Sequence, residues 1–182
     1  MDSCKITKGL YQYTAIDDCT RYRVLAVYPR RTAANTLLFI DKTVEETPFP
    51  IQRIQTDRGL EFFATEVRQA IMARCIKFRP IRPASPHLNG KVERSQKTDR
   101  DEFYSTIKLT CPDIDDRLQE WQHYYNWNRP HGSLGGKTPM DKFFDLIKQT
   151  PYSDEVAEKY FQKKERVQDA NYSKDKKLRG CS

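Results

Sequence analysis

Two carboxylates in this chain stand at positions suited to metal-assisted chemistry. Asp57 closes an apolar, β-branched run (Ile51, Ile54, Thr56) and is followed by Arg58 and Gly59, the pattern of a strand stopping in a turn. Glu93 follows a stretch holding Pro83, Ser85, Pro86, Asn89 and Gly90 and opens a charged run of good helix formers reaching about Tyr104. The pattern predicts one acid at the carboxyl end of a strand and another on the first turns of a helix, with 35 residues between them. A third acid, Asp2, heads the first strand-like segment. Three converging carboxylates repel one another unless cations sit between them, and Mg²⁺ prefers carboxylate oxygens and water. Two such ions about 3.5 to 4 Å apart can activate a nucleophilic oxygen and stabilise a leaving one, as phosphoryl transfer requires.

Helical geometry adds cations to this face. At about 100° per residue, Lys97 lies about 40°, Arg100 about −20° and Asn89 about −40° from Glu93 around the axis. Both cations are therefore placed to hold phosphates beside the acids. The competing view is an exposed i, i+4 pair of Glu93 with Lys97, worth about a few tenths of a kcal/mol. Arg58, Arg79, Arg82, Lys91 and Arg94 could add phosphate contacts or simply form a solvated basic surface. Asp17 and Asp18 are rivals for the first carboxylate. They fall in the turn between the second and third strands. Asp2, on a strand rather than in a turn, is taken as the better partner for Asp57, and the turn at residues 17–20 reads as structural.

The elements that must hold these residues follow from periodicity. Residues 2–6, 10–16 and 22–28 read as an antiparallel meander, and residues 32–46 as a helix ended by Pro48 and Pro50. Residues 51–56 form a fourth strand, which can lie beside the first through a right-handed crossover. A helix over 62–74 and a short strand over 76–80 come next. The loop 81–89, with Pro83 and Pro86 and directly after Pro80, reads as mobile. After the helix of Glu93, residues 113–127 carry Leu118, Trp121, Tyr124 and Tyr125 as an apolar stripe, read as core packing rather than a base-stacking platform. Thr138 and Pro139 open another helix. From Pro151 the chain turns polar and lysine-rich, with Val156, Tyr160 and Phe161 as its anchors, and reads as a weakly packed helix and a frayed tail.

The 182 residues fit one domain, with 37% hydrophobic and 31% charged residues and a net charge of +7. That charge, with a pI of about 9.1, favours a polyanionic partner such as nucleic acid. The five cysteines are odd in number and widely spaced, so they read as reduced thiols of a cytosolic protein. His87, His123 and His131 lack zinc-site spacing. No apolar run approaches a membrane span and no signal-peptide core is visible, so the expected location is the cytoplasm, with no membrane partner.

The order and spacing of Asp2, Asp57 and Glu93 resemble the signature of the retroviral-integrase (DDE) superfamily, and specifically the transposases of bacterial insertion sequences. Three longer stretches carry the resemblance: Gly9 to Arg23, Ser85 to Arg94 and Tyr125 to Pro139, so that it covers about residues 1–148. It implies an α/β, ribonuclease-H-like fold with a five-stranded mixed sheet flanked by helices. An integrase-like catalytic core would span residues 1–150, with a basic, weakly ordered tail over 151–182. It further implies two Mg²⁺ (or Mn²⁺) ions, one held by Asp2 with Asp57 and one by Glu93 with either Asp. Lys97, Arg100, Asn89, Lys91 and Arg94 would contact DNA, both transposon ends and target, in a homo-oligomeric complex. The activity implied is metal-dependent end cleavage and strand transfer; the alternatives are a non-catalytic DNA-binding remnant or a ribonuclease-H-like nuclease. Arg129, Pro130 and His131 match a family motif and are expected to position a loop. Family members commonly carry an amino-terminal helix-turn-helix domain, which is not seen in this sequence. Because only Met1 precedes the strand of Asp2, and residues 3–6 add only about 13 Å, Asp2 is expected to be held loosely and the chain to be a truncated product of weak activity.

Overall fold

The computed structural model describes residues 1–81 and 90–179, with side chains as far as Ser173. β1 (Asp2–Thr7), β2 (Leu10–Ile16) and β3 (Arg23–Tyr28) form the antiparallel meander, with Asp2 opposite Thr14 and Thr14 opposite Leu25. Gly9 supplies the left-handed φ of 78° needed in the tight turn from β1 to β2. The next turn is tied by Asp17, whose Oδ2 accepts the amides of Cys19 (3.1 Å) and Thr20 (2.7 Å) and the Thr20 hydroxyl (2.8 Å).

Successive side chains leave opposite faces of a strand, and the two faces of this meander differ in chemistry. Tyr13, Ala15, Val24 and Ala26 pack with Phe39 and Phe62 on one side. Gln12, Thr14, Arg23 and Leu25 point to the other. α1 (Ala33–Glu46) covers the apolar side, capped by Thr32, whose Oγ1 accepts the Asn35 amide at 3.2 Å. Its buried residues Thr36, Phe39, Ile40 and Thr43 recur at i, i+3, i+4 and i+7, the stripe of an amphipathic helix.

β4 (Arg53–Thr56) and β5 (Lys77–Pro80) pair in parallel, with α2 (Leu60–Phe63) and α3 (Thr65–Ala73) between them. Instead of one helix over 62–74, the backbone is extended at Ala64 (φ −58°, ψ 141°). The break lets adjacent phenylalanines bury in different clusters, Phe62 with Tyr13 and Phe39, Phe63 with Ile54 and Phe78. Arg68 Nη1 takes the Phe63 carbonyl at 2.8 Å. Among the described residues, the five strands fall into a three-stranded and a two-stranded ladder rather than one continuous sheet. β1 and β4 meet where the Met1 amino group donates to the Gln55 carbonyl at 2.5 Å, too brief an overlap with a four-residue strand to extend a ladder.

α4 (Gly90–Glu102) and α5 (Ile114–Trp127) cover the second face of the meander, over a cluster of Leu25, Phe103, Tyr104, Ile114 and Leu118. Trp121 stacks on Phe103 (centroids 5.9 Å apart), and Leu118 and Tyr125 are buried, so this part of the α5 stripe is core; Tyr124 is exposed. Arg129 grips Glu102 at the end of α4 with two bonds (2.8 and 2.5 Å), and His131 packs edge-on against Tyr125. The 129–131 motif therefore fixes the end of α5 against α4. Thr138 and Asp141 form a reciprocal cap on α6 (Pro139–Leu146).

Where periodicity alone gives a weakly packed segment beyond 151, the structure has α7 (Ser153–Glu158) and α8 (Gln162–Arg179). Glu165 receives Arg79 through two bonds (2.6 and 2.7 Å), Asp169 receives Arg68 (2.5 Å), and Tyr172 meets Phe78 edge-on. The two ion pairs join residues 86 and 101 positions apart, so no local hydrophobic pattern reveals them. Among the described residues, no helix is long and apolar enough to cross a membrane.

Candidate active site

Asp57 follows β4 directly, and its Oδ1 accepts the Gly59 amide at 3.0 Å, closing the turn that the Arg-Gly pair signals. The strand is held in register by β5, with Thr56 opposite Pro80, and Arg58 Nε reaches the Ile81 carbonyl at 3.1 Å. Burial raises the Asp57 carboxyl above its ordinary range; Asp2 and Glu61 add to the rise, while the Gly59 amide and the Met1 ammonium oppose it.

Asp2 lies on the face of β1 that α4 covers and is 8% exposed. Its Oδ1 accepts the Ser3 amide (2.8 Å) and its Oδ2 accepts Gln96 Nε2 (3.2 Å). It is therefore held firmly, against the expectation of a frayed strand end, because the anchoring comes from α4 rather than from a longer ladder. The Met1 ammonium is pushed down to about 6 by burial, with Asp2 and Asp57 opposing the fall. The two acids and the amino group thus form one electrostatic neighbourhood.

Glu61, which strand and helix periodicity do not mark, belongs to the same neighbourhood. Its Oε1 accepts Ser3 Oγ at 2.7 Å, joining α2 to β1 beside Asp2. A Cβ on Gly59 would come within 2.8 Å of Glu61 Oε2 and 3.1 Å of Asp57 Oδ1, so glycine permits this close approach. The available signal was the spacing: Glu61 sits four residues past Asp57, just beyond the turn.

Glu93 lies in the first turn of α4 and is exposed, as are Lys97, Arg100 and Arg94. Arg100 and Arg31 act on Cys4, whose thiol is raised to about 11, chiefly by burial. Lys91 Nζ contacts the carbonyl and carboxylate of Asp18. Asn89 lies outside the described residues, as do Arg82 and the rest of the 82–89 segment. The structure brings Asp2 and Asp57 together. Among the described residues it gathers no three His, Cys, Asp or Glu side chains closely enough to hold a metal ion, so Glu93 does not join them in a closed ligand set. The donors are nonetheless all carboxylate oxygens, which suit Mg²⁺ or Mn²⁺. Burial is the main reason Asp57 is reluctant to ionise, with Asp2 and Glu61 adding to it, and a bound cation would favour its charged form.

Two family models, both described as integrase core domain, match residues 1–86 and 74–139. The ORF3 protein of Spiroplasma virus SpV1-C74, named as an integrase, is 27% identical over 153 residues, 75% of this chain and 42% of that protein. The 39.2 kDa protein of insertion element IS476 from Xanthomonas euvesicatoria is 28% identical over 128 residues, 69% of this chain and 37% of its own length. This chain thus spans about two fifths of the curated relatives it matches. Among solved structures, the catalytic core domain of BIV integrase superposes with a TM-score of 0.67 at 18% identity, covering 81% of this chain and 95% of that one. The likeness establishes the ribonuclease-H-like fold.

Proposed function

Because the chain belongs to the integrase core domain family, we propose that it is a DNA transposase or integrase catalytic core, with Asp2, Asp57 and Glu93 as its acids and residues 1–150 as the catalytic unit. The observation that carries this reading is the pairing of Asp2 with Asp57, one beginning a strand and one directly following another, with the helix of Glu93 tied to Asp2 through Gln96. Divalent ions bound by these carboxylates would supply Lewis-acid activation of the attacking oxygen and stabilisation of the leaving one. Asp2 and Asp57 would hold one ion between them, and Glu93 with either Asp a second.

The chain's own cations would do the positioning. Lys97 and Arg100 stand on the Glu93 side of α4 and would hold DNA phosphates next to the acids, with Lys91, Arg94 and Asn89 extending the track. Lys91 would exchange its exposed contact with Asp18 for a phosphate at little cost. In cleavage, water oxygen bonds to phosphorus and the 3′-oxygen leaves as a hydroxyl. In transfer, that hydroxyl attacks a target phosphodiester, one P–O bond forming as another breaks, so no covalent enzyme intermediate and no external energy source are needed. DNA ends and target DNA are the partners, within a complex of several copies of the chain.

One observation favours a second reading, a DNA-binding module without catalysis: Glu93 stands outside a closed ligand set with Asp2 and Asp57. The two separate in one assay. A labelled duplex ending in a free 3′-hydroxyl is incubated with supercoiled plasmid, the chain and Mg²⁺ or Mn²⁺. The catalytic reading expects label joined to plasmid, lost with EDTA and in Asp57→Asn and Glu93→Gln. Metal-independent binding without joining would leave the module reading.

A further inference from the structure

The helix that carries Glu93 docks through polar side chains. Its buried residues are Val92, Ser95, Gln96 and Asp99, and of these only Val92 is apolar. They form one stripe at helical spacing, while Glu93, Lys97 and Arg100 are exposed. Each polar member meets a partner on another element. Asp99 Oδ1 receives Arg23 Nη1 (2.6 Å) and Trp121 Nε1 (2.7 Å), and its Oδ2 receives Gln12 Nε2 (2.7 Å). Ser95 Oγ accepts Arg23 Nη1 at 2.9 Å, and Gln96 Nε2 donates to Asp2 Oδ2 at 3.2 Å. The Arg23 guanidinium carbon lies 3.3 Å from the centroid of the Tyr125 ring, and both side chains of the Arg23–Asp99 pair are 0% exposed.

This is a poor way to gain stability. Taking two charges out of water is expensive, and apolar residues of similar volume often serve as well or better. The network is also incompletely satisfied: among the described residues, Arg23 Nε and Nη2, Gln12 Oε1 and the Tyr104 hydroxyl are buried without a hydrogen-bond partner. Directional bonds do supply what apolar contact lacks, a single roll and axial register for the helix. From this we infer that Arg23 and Asp99 are positioning residues that lock α4 so that Glu93 is presented toward the Asp2–Asp57 pair, with Gln96 tying the same helix to Asp2. The inference rests on the reading of these three acids as the reacting centre.

The test compares the wild-type chain with an Arg23→Met/Asp99→Leu double variant and with Gln96→Leu, which leaves the ion pair intact. In the double variant Gln12 Nε2 keeps its bond to Thr14 Oγ1 (2.9 Å). Three readouts are taken: Tm, kcat and KM for end joining, and amide hydrogen exchange across residues 90–102. The double variant should keep or raise Tm, speed exchange within 90–102 only, and lose kcat by about 100-fold at unchanged KM for DNA, the scale of a 1 Å misplacement. Gln96→Leu should lose about tenfold in kcat, as for a lost supporting contact, and it decides the matter if the double variant fails to fold. Wild-type kcat and exchange in the variants overturns the inference. A kcat that falls only in step with Tm overturns it too, since the pair would then be structural. If the wild type itself joins no DNA, the functional reading fails separately, and exchange alone decides: faster exchange confined to 90–102 at unchanged Tm keeps the positioning role, and unchanged exchange removes it.

Discussion

α1 and α4 are helices of 14 and 13 residues packed on opposite faces of the same meander, and they are held there by opposite means. α1 buries Phe39 and Ile40 between Thr36 and Thr43 against an apolar face. α4 buries Ser95, Gln96 and Asp99 against Gln12, Arg23 and Asp2. Apolar contact tolerates small shifts, whereas hydrogen bonds hold atoms at fixed separations. The helix without candidate site residues packs by burial; the helix that bears Glu93 is set by directional bonds. Asp57, by contrast, needs no such device, because the parallel β4–β5 register and the Gly59 turn fix it from the backbone.

The comparison can be broken most forcefully at its two centres. Asp99→Ala leaves Arg23 charged and buried without its ionic partner, so urea denaturation should show a loss of about 3–5 kcal/mol. Phe39→Ala, which empties an apolar site that is 0% exposed, should lose about 3–5 kcal/mol by the cavity it creates. Equal single losses with unlike causes are the expectation. A loss under 1 kcal/mol for Asp99→Ala would show that water already reaches the pair.

A milder test uses the bidentate tie of α8 to the apolar half. Glu165→Ala should cost about 1.5–3 kcal/mol, the usual worth of hydrogen bonds to a charged group. Arg79 holds the Glu165 carboxyl below its ordinary range. Its contribution is therefore full above the unfolded value of 4.5 and is lost as pH falls through the lower folded value. Melting curves of wild type and variant should converge on acidification. A gap that widens toward low pH would contradict the assignment.

Asp57 has the opposite sign. Its folded carboxyl is raised, first by burial and then by Asp2 and Glu61, so its ionised form disfavours the fold at neutral pH. That penalty is complete above the raised folded value and disappears as pH falls toward the unfolded 3.8. Asp57→Asn should melt higher than wild type at neutral pH, and the difference should shrink with acid. A lower Tm at neutral pH would mean that the carboxylate has a favourable partner there.

Much of this was legible in the sequence, for definite reasons. Alternation gave the meander, and helical spacing gave α1 and placed Glu93, Lys97 and Arg100 on one side of a helix. The polar stripe of α4 was not legible: Ser95, Gln96 and Asp99 carry no hydrophobic periodicity, and nothing local says that Arg23 waits across the sheet, 72 or more residues away. Beyond its spacing from Asp57, Glu61 carries no local mark of its role, because its partner Ser3 lies 58 residues off. The break at Ala64 was hidden for a different reason, since Phe62 and Phe63 both fit a single amphipathic helix until the two clusters they enter are known. α8 belongs to the same class as α4, anchored by charges whose partners are remote.

The smallest stability effects belong to the exposed side of α4. Lys97→Ala and Arg100→Ala should each leave folding stability within about 0.5 kcal/mol. Each should still weaken DNA binding and reduce its salt dependence by about one unit of slope per lost phosphate contact. Unchanged affinity and slope would return both residues to a solvated surface.

The claim on which the rest depends is that Asp57 and Glu93, positioned by such different means, both serve one divalent-cation centre together with Asp2. Calorimetric titration of Mn²⁺ into the wild type, Asp57→Asn and Glu93→Gln, all at the same ionic strength, tests it. The account predicts saturable binding in the wild type, accompanied by a rise in Tm that follows occupancy, with both substitutions weakening binding sharply while leaving the fold intact. Binding of the same strength in all three proteins would contradict it.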